Sequence, residues 1–294
     1  SERIAKMMDR MGLKEGEVIQ HSMISKSIER AQKKVEENNF GIRKRLLEYD
    51  DIMNAQREFV YLRRRHALDG DRLQIDISNM IFETCETIIN QNKVAKDFQN
   101  FEFELIRFTS ITSPFTKDEF NSLSEIELTD QLYDIVTKQY KEKVERNALL
   151  TYPVIKNVYE NEGDRYERIV VPFSDGIKTL QVVTNLKDAY ETKGKSLATD
   201  FEKNITLAII DENWKDHLRQ MDDLKQSVQN ASYEQKDPLL IYKFEAFELF
   251  KVTIDKINRE VLSFLFKGEL PNQANDQISE ERKKTKQKLN LSKA

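Results

Sequence analysis

The 294-residue chain is 33% charged and 39% hydrophobic with only 8 Gly and 5 Pro, a balance that disfavours a compact α/β body and favours long helices with wet faces. A formal charge of −4 lacks the basic excess that a nucleic-acid backbone demands. The single Cys85 excludes an internal disulfide and a cysteine-based zinc site, as in a reducing compartment, and no apolar run reaches the roughly 18 residues of a membrane span.

The first residues, "SERIAKMMDR", resemble neither a signal peptide nor an initiator sequence, and the chain reads as a piece of a longer one. Residues 1–23 give a short helix, "RIAKMMDRMGL", and a glycine-containing turn, with too few apolar positions to form a core alone. From Ile24 to about Leu68, Ile28, Val35, Ile42 and Tyr49 recur every seventh residue. Ile24 and Ala31 join them in the first half, and Leu46, Met53 and Val60 in the second. The pattern predicts one long helix with Gly41 as its soft point. A neighbour from later in the chain is expected for the seam; a homodimeric coiled coil is the alternative.

"DGDRL" at 69–73 breaks that helix. A satellite domain then runs to about residue 198, with helices near 74–91, over "FQNFEFELIRF" and near 129–147. Within it the period changes: Tyr166–Phe173 and Ile177–Thr184 are β-rich and flank an "SDG" turn, which predicts a hairpin. After Asn185 the helical signal returns through Phe201, Ile205, Ile209, Trp214, Leu218, Met221, Leu224 and Val228. Asp237 then reads as a cap and Pro238 as first-turn residue of another helix. Its inner face is predicted to hold Leu240, Phe247, Phe250, Ile254, Ile257, Val261 and Phe264. The result is an antiparallel two-helix projection. Its loop, "NASYEQKDP", is longer than reversal requires and carries Tyr233 at the end. The tail after Phe266 is poor in apolar residues and reads as mobile linker.

Two stretches imitate catalytic motifs. "YETKGKSLA" offers Gly194, Lys195 and Ser196, but a phosphate loop needs a second glycine where Ala189 stands and a strand before it. "DENWKDHLRQMDD" gathers Asp211, Glu212, Asp216, His217, Asp222 and Asp223, yet no second His or Cys cluster completes a metal shell, so a solvated charged face is expected. His21 and His66 stand alone, and no catalytic residue is assigned. The basic run "ERKKTKQKLNLSK" reads as a soluble tail; its charge would suit an anionic membrane surface, and no specific nucleic acid is expected.

"AQKKVEENNFGIRKRLLEYDDIMNAQREFVY" on the long helix and "DENWKDHLRQMDDLKQSVQNASYEQKDPLLIYKFEAFELF" on the hairpin closely resemble the SecA family, the ATP-driven motors of bacterial protein export. The resemblance covers nearly the whole chain in order. Residues 1–23 correspond to the end of the second motor domain, 24–69 to the long helix of the helical scaffold and 70–198 to the helical wing. Residues 199–266 correspond to the two-helix finger and 267–294 to the C-terminal linker. The hairpin at 166–184 reads as a lineage-specific elaboration of the wing. The implied fold class is mostly all-α: an elongated helical scaffold with one very long helix, a two-helix finger and a smaller wing carrying a β-hairpin.

The family's nucleotide-binding folds, preprotein cross-linking domain and Cys-rich zinc tail do not appear in these residues. The resemblance therefore implies no cofactor for this chain, with ATP and Mg belonging to the parent and Zn to the tail, and no ATP hydrolysis by the chain on its own. It implies as partners the SecYEG channel, an unfolded preprotein and the parent's own motor domains. It also implies a place in the cytoplasm and on the cytoplasmic face of the inner membrane.

The family's fingertip tyrosine meets the moving polypeptide, and Tyr233 aligns with it, flanked by Ser232, Gln235 and Lys236. An aromatic ring with a polar end suits weak grip on varied sequences; the alternative is a ring folded back on the hairpin. Many relatives have Gly where Ser232 stands, so the turn need not be the same. Trp214 sits where the family docks the finger onto the motor, with plain core packing as the other reading. Arg43, Arg45, Asp50 and Asp51 are candidates for ion pairs to the motor. An accessory region of a nucleic-acid helicase remains the rival function, against which the near-neutral charge and the lack of a basic and aromatic groove count.

Overall fold

The computed structural model describes residues 22–70, 72–163, 165–228 and 237–270. Among them the chain forms eight helices and one antiparallel strand pair. It divides into two compact units, residues 1–55 and 56–294.

Helix α1 (Ser22–Asp69) is continuous through Gly41, although glycine inside a helix costs about 1 kcal/mol relative to alanine. It stops at Gly70, whose φ of 82° and N–H bond to the His66 carbonyl form a left-handed cap. In the first unit the seam is not covered: Ile28, Val35 and Ile42 are 51%, 59% and 52% exposed. In the second unit, Gln56, Val60 and Ala67 of the same helix are buried.

The second unit is built on α2 (Leu73–Ala95), whose buried positions Leu73, Ile77, Met80, Ile81, Cys85, Ile88 and Ile89 recur at spacings of three and four. Asp97 caps α3 (Phe98–Thr109) by accepting from the Asn100 amide at 3.0 Å. Capping boxes start the next two helices: Thr116 with Glu119 for α4 (Lys117–Ser122) and Ser124 with Glu127 for α5 (Glu125–Glu162). Each box holds its glutamate carboxyl below its usual pKa through the amide and hydroxyl it accepts from. Helix α5 is far longer than the predicted 129–147. The Ser124 box starts it one turn earlier, and it continues through Pro153.

Strands β1 (Arg168–Ser174) and β2 (Thr179–Asn185) pair with Val171 opposite Val182. Both lie one or two residues later than predicted. Asp175 Oδ1 accepts from the Ile177 and Lys178 amides at 2.8 and 2.7 Å, which draws Ile177 into the turn beside Gly176 at φ 90°. Ile177 is accordingly 91% exposed. Beyond β2, α6 (Leu186–Glu191) leads through Gly194 to α7 (Lys195–Ser227), and α8 (Pro238–Lys267) follows the loop. Asp237 caps α8 as expected, accepting from the Leu239 amide at 3.0 Å with Pro238 in the first turn.

Helices α7 and α8 pack on each other as the predicted pair, α2 lies against α5 and α8, and β2 lies on α7. The buried side of α8 differs from expectation. Leu240 and Phe247 are 52% and 62% exposed, whereas Tyr242, Ala246 and Thr253 are buried. In that half of the helix the buried positions are held by one aromatic ring, a small residue and a hydroxyl, Tyr242, Ala246 and Thr253, rather than by Leu240 and Phe247. Ring packing continues at the other end, where Phe201 meets Phe173 at 4.5 Å and Phe264 at 6.2 Å.

Candidate functional site

The hairpin is held to the C-terminal part of α1 by a buried polar node. His217 on α7 is 1% exposed, and its Nε2 lies 2.8 Å from Gln56 Oε1 on α1. Its Nδ1 lies 3.0 Å from Thr253 Oγ1 on α8. Gln56 Nε2 donates to the Ala246 carbonyl at 3.0 Å, which turns Oε1 toward the imidazole. Nε2 of His217 must therefore carry the proton, and Nδ1 accepts the Thr253 hydroxyl in the neutral ring.

The Thr253 hydroxyl also lies 2.8 Å from the Leu249 carbonyl. Were the ring protonated, Nδ1 would donate to Thr253 and the hydroxyl would turn to Leu249, so both charge states can be bonded. Burial decides between them, holding the imidazole below its usual pKa and hence neutral near pH 7. Trp214, 7% exposed, stacks on the ring with centroids 5.4 Å apart, and the Phe250 ring lies tilted against it at 5.6 Å.

Side chains from five helices extend this junction. Arg63 donates to Asn258 Oδ1 at 2.9 Å, and Asn258 Nδ2 donates to Glu83 at 2.6 Å, linking α1, α8 and α2. Arg64 grips Asp211 through Nε at 2.9 Å and Nη2 at 3.3 Å. Asn213 donates across the hairpin to Glu260 at 2.8 Å. Arg259 donates to Glu104 on α3 at 3.0 Å and lies 4.9 Å above the Phe108 ring. An unpaired buried member such as Asn213 or Asn258 would carry the full desolvation penalty, whereas the half-exposed Arg64–Asp211 pair contributes less. The network therefore specifies one angle between α1, α7 and α8.

The predicted charged face over residues 211–223 is thus divided. Asp211 goes to Arg64, Glu212 to Lys178 at 3.1 Å and Asp216 to Arg219 at 3.1 Å, while Asn213, Trp214 and His217 point inward. The expected solvated face is corrected for His217, and the plain-core alternative for Trp214 agrees with its burial. One signal could have found them: 206, 210, 213, 214, 217, 221 and 224 form a single helical stripe, in which His217 is the only titratable residue. Among the described residues no group of three or more His, Cys, Asp or Glu could hold a metal ion.

Tyr233, Ser232, Gln235 and Lys236 lie outside the described residues, as do residues 1–21 and the tail from Pro271. Trp214 lies within the node. Arg43, Arg45, Asp50 and Asp51 are exposed on α1, in the first unit.

A two-helix hairpin locked by a polar junction to a long helix, beside a helical unit with a β-hairpin, defines a helical scaffold with an attached wing. The family model described as "SecA Wing and Scaffold domain" matches residues 18–269, and the chain belongs to that family. It is 67% identical over 276 residues, 94% of its length, to the protein translocase subunit SecA of Flavobacterium psychrophilum. It is 65% identical over 290 residues, 98% of its length, to that of Christiangramia forsetii, and 53% identical over 271 residues, 92% of its length, to that of Parabacteroides distasonis. These alignments cover 25%, 26% and 24% of the respective relatives; the chain spans about a quarter of the length of the curated relatives it matches.

Proposed function

We propose that this chain is the scaffold-and-wing part of a SecA motor, carrying ATP-driven motion from nucleotide-binding domains encoded elsewhere to a preprotein at the SecYEG channel. The α7–α8 hairpin acts as the finger, with Tyr233 as the residue that meets the moving polypeptide and Ser232, Gln235 and Lys236 around it. Residues 24–69 and 199–266 form the scaffold and 70–198 the wing; residues 1–23 belong to the motor and 267–294 to the linker. The work of the chain is binding and leverage rather than chemistry, with ATP, Mg and Zn handled by other parts of the parent. Arg43, Arg45, Asp50 and Asp51 present charge for docking the motor domains, and Trp214 stiffens the hairpin where the motor bears on it.

The observation that carries this reading is the bridge from Gln56 through His217 to Thr253. A lever transmits displacement only if its joint does not yield, and a buried, fully bonded joint between α1 and both hairpin helices meets that requirement. No helix among the described residues is long and apolar enough to cross a membrane.

The test places Tyr233→Ala in the full-length protein. Translocation should fall by about tenfold, the effect of losing about 1.4 kcal/mol of contact with the polypeptide, while basal ATP hydrolysis is unchanged. Full translocation by the variant would remove Tyr233 from the mechanism.

A further inference from the structure

The chain leaves α8 in strand register with β1. Glu269 donates its N–H to the Ser174 carbonyl at 3.0 Å and accepts the Ser174 N–H at 2.9 Å, an antiparallel bridge. Two side chains of α5 hold the same residues. Lys143, 7% exposed, donates to the Glu269 carboxylate at 2.8 Å, and Asn147 Nδ2 donates to the Gly268 carbonyl at 3.4 Å. Gly268 fits there only without a side chain, because a Cβ would stand 2.7 Å from the Phe264 carbonyl oxygen and 2.9 Å from Phe201 Cζ. Direction and register are thus given at the point where the tail begins.

The bridge sits at one end of an open strand edge. Asp175 donates its N–H to the Lys178 carbonyl at 3.2 Å, so the odd-numbered residues of β1 bond toward β2 and the even-numbered ones turn away. Arg168, Val170 and Pro172 therefore direct their backbone groups to the side of Glu269, where no other described residue pairs with β1. Beside this edge a groove of about 770 Å³ runs between β1 and α5. Leu150, Val154 and Val158 of α5 and Ile169 and Val171 of β1 line it, with Leu150 and Val154 64% and 53% exposed. Of its polar members, Asn147 and Glu269 are held in the bridge, Thr151 donates to the Asn147 carbonyl at 2.8 Å, and Arg168 is exposed.

We propose that residues 271–275 of this chain lie in the groove as a third, antiparallel strand on the free edge of β1. Connectivity selects this occupant: Leu270 already lines the groove, and residues 271–294 continue from it. Carried on from Ser174 opposite Glu269, the register sets Pro271 opposite Pro172, Gln273 opposite Val170 and Ala274 opposite Ile169. The two prolines share one rung, so neither strand presents there an amide donor that goes unaccepted. The next outward pair, Val170 with Gln273, regains two backbone bonds. Ala274 joins Ile169 on the inner face as Leu270 joins Phe173. An edge on which Val170 is 54% exposed invites pairing with foreign strands, and the tail closes it.

The experiment is disulfide trapping in the 294-residue chain. Its one cysteine, Cys85, is buried, with its thiol pushed up to about 12, and stays out of exchange. Ile169→Cys combined with Ala274→Cys places two thiols at a non-hydrogen-bonded pair, where Cα atoms lie about 4.5 Å apart and within disulfide reach. Under oxidised glutathione an intramolecular bond should form about tenfold faster or more than in Ile169→Cys combined with Gln273→Cys, whose side chains point to opposite faces. In the unsubstituted protein the Val170 amide should exchange with solvent about a hundredfold or more below the rate of an unstructured peptide. Equal trapping rates in the two cysteine pairs overturn the proposal. Disulfide-linked dimers in place of the intramolecular bond also overturn it and assign the edge to a second copy. So does a Val170 amide that exchanges at the unstructured rate, a readout that needs no variant.

Discussion

Replacing the imidazole of the node with a ring that cannot titrate, as in His217→Phe, should separate two contributions to stability. The first is independent of pH. The variant leaves Gln56 Oε1 buried without its donor, at a cost of about 1–3 kcal/mol, while the Thr253 hydroxyl retains the Leu249 carbonyl at 2.8 Å. The second depends on pH, because burial lowers the folded-state pKa of His217 below its unfolded value of about 6.5. The unfolded chain then binds the extra proton first on acidification. The stability contributed by the neutral ring is complete above about pH 6.5. It is lost as pH falls toward the folded pKa, with a slope of up to about 1.4 kcal/mol per pH unit. Urea unfolding of both proteins at half-unit steps from pH 8 to pH 5, at constant ionic strength, gives the difference in unfolding free energy, in which the titration of all other groups cancels. That difference should be a plateau in favour of the native protein above about pH 6.5 and should decline below it. A difference constant from pH 8 to pH 5, or one that grows on acidification, would refute the buried neutral imidazole.

Glu202 should behave in the opposite sense. Its pKa is raised chiefly by burial, so its favourable contribution is present below the unfolded carboxylate range and is lost as pH rises through the folded value. Glu202→Gln, which keeps an acceptor for Tyr140, should gain stability relative to the native protein between pH 4 and pH 7; denaturant melts at the two values check this. Gly194→Ala should destabilise by about 2 kcal/mol or more. It places a side chain at φ 86°, where the left-handed region costs about 1–2 kcal/mol, and sets the new Cβ 2.7 Å from the Ala148 carbonyl oxygen, so the urea midpoint should fall.

The elements were legible because long periodic segments announce themselves. The seven-residue recurrence through Ile28 and Val35, the Asp237–Pro238 start and the two β-rich runs all correspond to elements of the structure. Boundaries were legible only where a cap was read. Ser124 followed by Glu127 is a capping box in plain sight, and missing it displaced the start of α5. Aspartate at 175 was taken as part of a tight turn, although its side chain reaches two amides beyond and shifts both strands.

The node resisted sequence reading for a reason that also explains its use. Periodicity analysis weights bulk apolar residues, so it selected Leu240 and Phe247 for the interior of the hairpin and passed over Ala246 and Thr253. The choice fails because the contact is set by close approach and polar fit. Ala246 is buried, and its backbone carbonyl accepts the Gln56 amide; Thr253 offers a hydroxyl at the height of His217. Leucine at 246 and valine at 253 would keep the apolar pattern and remove the geometry. A greasy seam tolerates sliding, since one aliphatic contact replaces another at little loss. A buried amide, imidazole and hydroxyl do not, because each slipped partner is left unsatisfied in the interior. Specificity of angle rather than total stability is what such a joint contributes. On the proposed reading of the hairpin as a lever, that property matters more than additional buried area.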